Sequence, residues 1–306
     1  MRGGLAGCTG TGGKDRVRQI AVVSKDFPSD YWKSVRSGAQ AAADEFGLKL
    51  VYMTAGEYSD PLRQQQEYMS EAIASQVDGI LLAPADYSGL AAKLQEARSR
   101  RIPVVTMDAQ TESTYPVSHV ATDNVRSAAI AAGFMQQSGA SGKVLIVRSG
   151  SDSFTEDARI SGFKKGLDGT KLVISETLSV PSGNLAAMQT AVAYLRGHTD
   201  ISGIFATCSE CAAGAGLAVR EIGLTDRIVC IGFDSSQDEI RLLEEGVLQA
   251  IVVQNPFAMG YFGVKAVADT LSGIKVQPLI ETKAEIVTKE TIKLPEYQKL
   301  IYPFDK

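Results

Sequence analysis

Cysteine is scarce in this chain, four in 306 residues, which excludes a scaffold built on disulfides. Histidine is scarcer: His119 and His198 stand far apart, and no second Cys-x-x-Cys accompanies Cys208-Ser209-Glu210-Cys211, so a four-ligand structural zinc site is not expected. There is no basic excess either. Lys plus Arg number 31 against 35 for Asp plus Glu, a net charge of −4, and without a basic run nucleic acid is not an expected partner. No stretch approaches the ~18 consecutive apolar residues of a membrane-spanning helix. Neither G-x-S-x-G nor a G-x-G-x-x-G following a strand occurs, so hydrolase elbows and dinucleotide loops lack support. What remains is an ordinary globular composition, 44% apolar and 22% charged, at a length that suits two domains of roughly 100–200 residues each.

The first sixteen residues depart from that average by their glycine content. Gly7 to Lys14 imitates a phosphate-binding loop. However, five residues separate Gly7 from Gly13 where four are needed, Asp15 stands in place of the magnesium-holding hydroxyl, and no strand precedes. Leu5-Ala6-Gly7-Cys8 resembles instead a bacterial lipobox, with lipidation at Cys8 and a Gly/Thr-rich tether behind it. Two or more acyl chains there would anchor stably. Only Met1-Arg2-Gly3-Gly4 stands before the box, whereas a signal peptide needs an apolar stretch of about 7–15 residues. Lipidation therefore implies a longer leader, and a disordered leader is the competing reading.

From Val17 onward short apolar runs alternate with helical patterns. Gln19–Ser24 is a β-branched run, and Asp30–Phe46 follows with Trp32, Val35, Ala39, Ala42, Ala43 and Phe46 on one helical face. Further strands are predicted at Leu48–Met53, Gly79–Pro84, Pro103–Asp108 and Val117–Thr122. After the last of these the same grammar restarts through Lys143–Val147, Leu172–Leu178, Gly203–Thr207, Ile228–Asp234 and Gln249–Val253. Strands apolar throughout and separated by amphipathic helices belong to parallel sheets covered on both faces. Two such sets predict an α/β chain of two similar doubly wound, Rossmann-like lobes. Ligands bind beyond the carboxyl ends of such strands, which directs attention to Ser24–Tyr31, Asp86, Asp108, Thr122, Asp234 and Gln254.

Those strand ends carry a family resemblance. Ile20–Ser24 with Tyr31-Trp32, Asp78–Asp86, Ile102–Asp108, His119–Asn124, Arg159 with Gly162-Phe163, and Ile231–Asp234 together resemble periplasmic sugar-binding proteins of the ribose/galactose type, the ligand-binding components of ABC importers. The resemblance runs from about Val17 to the C-terminus. It implies two lobes joined by three crossings, near Thr122–Asn124, near Asn255 and within Glu281–Ile286, with a sugar clamped between them. The expected organisation is tether 1–16, one lobe from 17–122 with 255–284, and the other from 123–254 with 285–306.

The resemblance also assigns roles. Tyr31 and Trp32 match its stacking aromatics, since a flat ring suits the C–H face of a sugar; Trp32, the chain's only tryptophan, would otherwise be core. Asp108 matches the carboxylate that takes a hydroxyl pair, and a turn or cap is its alternative. Arg159 offers a planar five-donor fork, against a plain surface charge. Thr122, Asp234 and Gln254 end strands at the cleft, with an N-cap as the competing role for Asp234. Departures from the family pattern are Ala109 where an arginine often follows the aspartate, Cys208-Ser209 where Asn-Asp is common, and Lys25 with Asp26 after the first strand. Lys25 and Arg159 together would favour an oxygen-rich or anionic ligand, so a sugar acid or polyol is expected beside a plain sugar. Cys208 is expected to line the cleft or to pack, with Cys211 and Cys230 in the core and a Cys208–Cys211 disulfide open. His119 reads as packing.

The implied function is binding without catalysis. A monomer with no cofactor and no metal would serve an ABC importer permease from outside the cytoplasm, and would touch the membrane through the lipid anchor alone. A receptor module for a membrane signalling partner, a repressor core without its DNA-binding headpiece, and a sugar-modifying enzyme are the alternatives.

Overall fold

The computed structural model describes residues 16–24, 30–54, 60–150 and 153–302. Cys8, Lys25 and Asp26 lie outside the described residues.

One sheet is formed by β1 (Gln19–Ser24), β2 (Lys49–Thr54), β3 (Gly79–Leu82), β4 (Val104–Met107), β5 (Ser118–Thr122) and β11 (Leu279–Thr282). Its order is β11-β5-β4-β3-β1-β2, parallel throughout. The second contains β6 (Gly142–Ser149), β7 (Leu172–Val180), β8 (Ile201–Ala206), β9 (Val229–Phe233), β10 (Ala250–Val253) and β12 (Glu285–Val287), in the order β12-β10-β9-β8-β6-β7. The two orders superimpose strand for strand. The central strands β3, β4 and β10 are buried along their whole length, which is why β3 and β10 read as unbroken apolar runs and β4 departs from one only at Thr106.

Helices cover both faces of each sheet. In the first lobe α1 (Asp30–Phe46) and α9 (Pro256–Leu271) lie on one side, with α2 (Pro61–Ala74) and α3 (Ala91–Ser99) on the other. In the second, α4 (Asn124–Gln137) and α5 (Phe154–Gly166) face α6 (Asn184–Gly197), α7 (Ser209–Glu221) and α8 (Gln237–Glu244) across the sheet. α1 and α9 touch backbone to backbone: a Cβ on Gly38 would stand 1.9 Å from the Phe257 carbonyl oxygen, and one on Gly260 1.9 Å from that of Val35. Gly162 of α5 permits the same approach to α4, with Val125. A side chain at any of these positions would drive the helices apart.

The chain passes between sheets three times: from β5 into α4 at 123, from β10 into α9 at 254–255, and from β11 into β12 at 283–284. The all-parallel expectation fails at one place, because β12 is antiparallel to β10. β10 runs toward the junction of the lobes, whereas β12 has just left it, so their directions must oppose. A 3₁₀ turn at Thr291–Lys293 and α10 (Pro295–Ile301) close the chain against the second lobe.

Candidate functional site

The carboxyl ends of both sheets border one cavity of about 650 Å³, within the size range of small-molecule sites. Tyr31, Trp32 and Asp108 line it from the first lobe, and Arg159, Cys208, Asp234 and Gln254 from the second.

Asp108 and Asp234 hold equivalent places, each directly after its strand. The Asp108 N–H donates to the Val120 carbonyl at 3.0 Å, and the Asp234 N–H to that of Val252 at 2.9 Å, so each backbone stays tied to the next strand. Both residues have positive φ, 64° and 92°, a conformation that aspartate tolerates better than most side chains. The turn aims both carboxylates into the gap instead of along the sheet. Neither is a helix cap. Ser236 caps α8, in a capping box with Glu239, which leaves Asp234 to the cleft.

Tyr31 and Trp32 open α1 and meet edge to face, with ring centroids 5.2 Å apart. The Tyr31 hydroxyl donates to Asp108 Oδ1 at 2.8 Å. Burial, and then the Asp108 charge, push its ionisation well above the ordinary range, so it remains a donor. Trp32 is buried against the core of the first lobe and also borders the cavity.

Arg159 is buried rather than a surface charge. Its Nε donates to Asn124 Oδ1 at 2.8 Å and an Nη to the Thr207 carbonyl at 2.7 Å, while the guanidinium lies 3.7 Å over the Phe233 ring. Asp234 Oδ2 is 3.7 Å away. The fork is thus fixed from behind, with its charge facing the cleft. Thr122 and Gln254, also buried, bond to each other at the lobe junction, and Gln254 Nε2 donates to Asp234 Oδ1 at 2.6 Å.

Asp86 takes no part. Its carboxylate turns back onto the Ser88 and Gly89 N–H groups, which hold it below the usual carboxylate range. His119 packs beside Thr106, Nδ1 at 3.0 Å from the hydroxyl, and burial lowers its pKa. Glu156 is a cavity residue that sequence reasoning missed. It accepts from Ser149 N at 3.0 Å and from the hydroxyls of Ser149 and Thr207. Its only signal in the sequence is Ser153-x-x-Glu156, a capping-box pattern. The Ser153 half of that box forms, but the carboxylate turns inward. A carboxylate oxygen of Glu156 and the sulfurs of Cys208 and Cys211 lie within 4.8 Å of one another, and all three described cysteines are free thiols. Three groups able to ligate a cation thus converge at this corner, one short of the four that a structural zinc site uses.

Two doubly wound lobes of matching strand order, with charged side chains converging from both on one cavity, define a bilobal ligand-binding protein. The chain belongs to the periplasmic binding protein domain family, which matches residues 20–275. It is similar to the ribose import binding protein RbsB of Escherichia coli K12, 26% identical over 272 residues covering 89% of this chain and 90% of that one. RbsB of Bacillus subtilis is 29% identical over 279 residues, 91% and 90% of the two chains. Among solved structures, an ABC transporter solute-binding protein from Agrobacterium vitis with bound D-fucose is 31% identical, with a TM-score of 0.82, covering 93% of this chain and 100% of that one. A carbohydrate transporter solute-binding protein from Agrobacterium radiobacter in complex with D-arabinose is 27% identical, with a TM-score of 0.82 over 93% and 99%. The resemblance carried by the strand-end segments therefore holds at the level of the whole chain.

Proposed function

We propose that this protein is an extracytoplasmic solute-binding protein that captures a sugar, polyol or sugar acid between two closing lobes and delivers it to the permease of an ABC importer. The observation that carries the proposal is the pairing of Asp108 and Asp234, equivalent strand-end carboxylates aimed into one gap, with Arg159 fixed beside the second. Carboxylates accept from sugar hydroxyls and a guanidinium donates to sugar oxygens, each more strongly than a neutral group would. Tyr31 and Trp32 supply the apolar face that ring C–H groups need. Ribose import and bound monosaccharides among the relatives support the same class of ligand. Micromolar affinity needs only about −8 kcal/mol, within reach of a few charge-assisted hydrogen bonds and one stacked ring.

The test is mass spectrometry of whatever the purified protein releases on denaturation, followed by calorimetry with sugars and sugar acids. A monosaccharide or its acid is the expected product; a nucleotide or an amino acid overturns the proposal. In the same calorimetry Lys25→Ala weakens an anionic ligand more than a neutral one if Lys25 reaches the cleft. Cys8 is proposed as the lipidated residue, which incorporation of a labelled fatty acid in the host, abolished by Cys8→Ser, would establish.

A further inference from the structure

The clamp just described does not use the thiols at its edge. Cys208 Sγ and Cys211 Sγ lie 2.9 Å apart, closer than two unbonded sulfurs ordinarily rest. A disulfide bond is about 2.05 Å long, so joining them requires a closure of only about 0.9 Å. Cys208 is the N-cap of α7 and Cys211 stands in its first turn, so a 13-residue helix holds their separation. The two differ in access. Cys208 is half-buried and lines the cavity, whereas Cys211 is wholly buried beneath it.

We propose that Cys208 and Cys211 are a redox-active dithiol set in the cleft, which exchanges with a low-molecular-weight or protein disulfide. The Cys208 thiolate attacks one sulfur of the incoming disulfide RSSR; that bond breaks, and RS⁻ leaves to take up a proton. A mixed disulfide remains on Cys208. Cys211 then attacks the Cys208 sulfur, expels the second RS⁻, which is protonated to RSH, and gives up its own proton to the Glu156 carboxylate or to solvent. The sum is two protein thiols and RSSR becoming one protein disulfide and two RSH, with two electrons passing to RSSR.

The surroundings set the order of attack. Cys208 faces the cavity and Cys211 is out of reach beneath it, so Cys208 meets the reagent first; the hydrogen bond shared with Cys208, and then burial, push the Cys211 thiol up. Glu156 is the carboxylate close to both sulfurs. Cys230 is a built-in control. It is buried in β9 with its thiol pushed up to about 12 and is expected to stay inert.

The same three groups could instead take a thiophilic cation such as zinc. The geometry favours exchange, because the two sulfurs already lie 2.9 Å apart, whereas two thiolates each about 2.3 Å from a tetrahedral zinc stand about 3.8 Å apart.

The experiment equilibrates the reduced full chain in buffers of graded oxidised-to-reduced glutathione, quenches with acid, alkylates with iodoacetamide and maps tryptic peptides by mass. Both cysteines fall in one peptide, residues 197–220. The expected result is simultaneous loss of both alkylation sites with a mass decrease of two hydrogens, reversed by dithiothreitol, while Cys230 is alkylated throughout. Cys211→Ser is expected to trap glutathione on Cys208, and Cys208→Ser to leave Cys211 unmodified. Circular dichroism identifies variants that fold, and the wild-type titration is decisive without them. Both sites still alkylated at the most oxidising ratio, or a wild-type chain that stops at the mixed disulfide, overturns the proposal. One equivalent of zinc retained by the reduced chain and shielding both cysteines from iodoacetamide overturns it in favour of a metal site.

Discussion

Thr122 and Gln254 occupy equivalent positions at the ends of β5 and β10, and they are hydrogen-bonded to each other: the Thr122 hydroxyl donates to Gln254 Oε1 at 2.7 Å. Each lies two residues beyond the carbonyl that receives an aspartate N–H, Val120 for Asp108 and Val252 for Asp234. The pair therefore sits on the internal two-fold relation of the molecule, where two of the three crossings begin. Because the Gln254 amide also donates to Asp234, the junction and the clamp share one side chain.

That sharing separates two substitutions. Thr122→Val removes a neutral hydrogen bond and is expected to cost about 0.5–1.5 kcal/mol of stability in urea titrations. Gln254→Ala also strips Asp234 of a donor to a charged group, worth about 1.5–3 kcal/mol. We expect its affinity for the released sugar to fall about 10- to 100-fold by calorimetry. Equal affinity in Gln254→Ala and wild type would show that the amide does not position Asp234.

Tyr31 and Asp108 call for a graded test. Tyr31→Phe deletes one donor to the carboxylate and keeps the ring, so a loss of under tenfold in affinity is expected. Asp108→Ala removes the acceptor and adds strain at φ 64°, a backbone cost of about 1–3 kcal/mol. It should lower both affinity and the urea midpoint, whereas Asp108→Asn, which tolerates that φ, should lower affinity alone. An asparagine variant as weakened in stability as the alanine one contradicts the conformational part.

Stability should carry a pH signature from Glu239. This carboxyl is fully buried and held well above the usual range, by desolvation first and by the Asp234 charge next, against the opposing bonds from Ser236. Its Oε1 has no hydrogen-bond partner among the described residues. The folded chain binds this proton more tightly than the unfolded one, so the contribution is full below the unfolded value near 4.3 and is lost as pH rises through the raised folded value. Glu239→Gln keeps an acceptor for Ser236 and removes the titration. Its urea midpoint should exceed that of wild type at pH 8 and converge with it near pH 4; parallel profiles would refute the assignment.

Tyr87, in the loop after β3, and Phe154, at the start of α5, stack across the lobes at 5.8 Å between centroids and 8° between planes, although both are largely exposed. An aromatic pair is worth about 0.5–1.5 kcal/mol beyond its area. Phe154→Ala should therefore speed ligand release about 2- to 10-fold, read by stopped-flow fluorescence of Trp32. An unchanged off-rate would mean that the stack contributes nothing to closure.

The strand-end carboxylates were legible because largely apolar strands terminate in them: Val104–Met107 before Asp108, and Val229–Phe233 before Asp234. Such runs announce buried parallel strands, and position along them tells which residue reaches the cleft. Glu156 was not legible. Its i, i+3 relation to Ser153 has the ordinary meaning of a surface cap, and only the folded neighbours Ser149 and Thr207 reveal an inward carboxylate. β12 was equally obscure. It has three residues of weak pattern, Glu285–Val287, and its direction is dictated by the preceding crossing rather than by its own side chains. Cys208 was expected at the cleft from the family pattern, yet its proximity to Cys211 follows from α7 beginning at Ser209, which places both cysteines at the helix start.

The interleaving of the two lobes has a consequence for biosynthesis. The first sheet acquires its edge strand β11 from residues 279–282, and its covering helix α9 from 256–271. A growing chain that has presented β1 to β5 therefore holds an unfinished lobe, with the face beneath α9 bare and β5 unpaired on one side, until residues 256–282 have emerged. N-terminal domains ordinarily fold first during synthesis. Here the first lobe must wait for β6 to β10 of the second, and it is complete only once residues 256–282 have followed them.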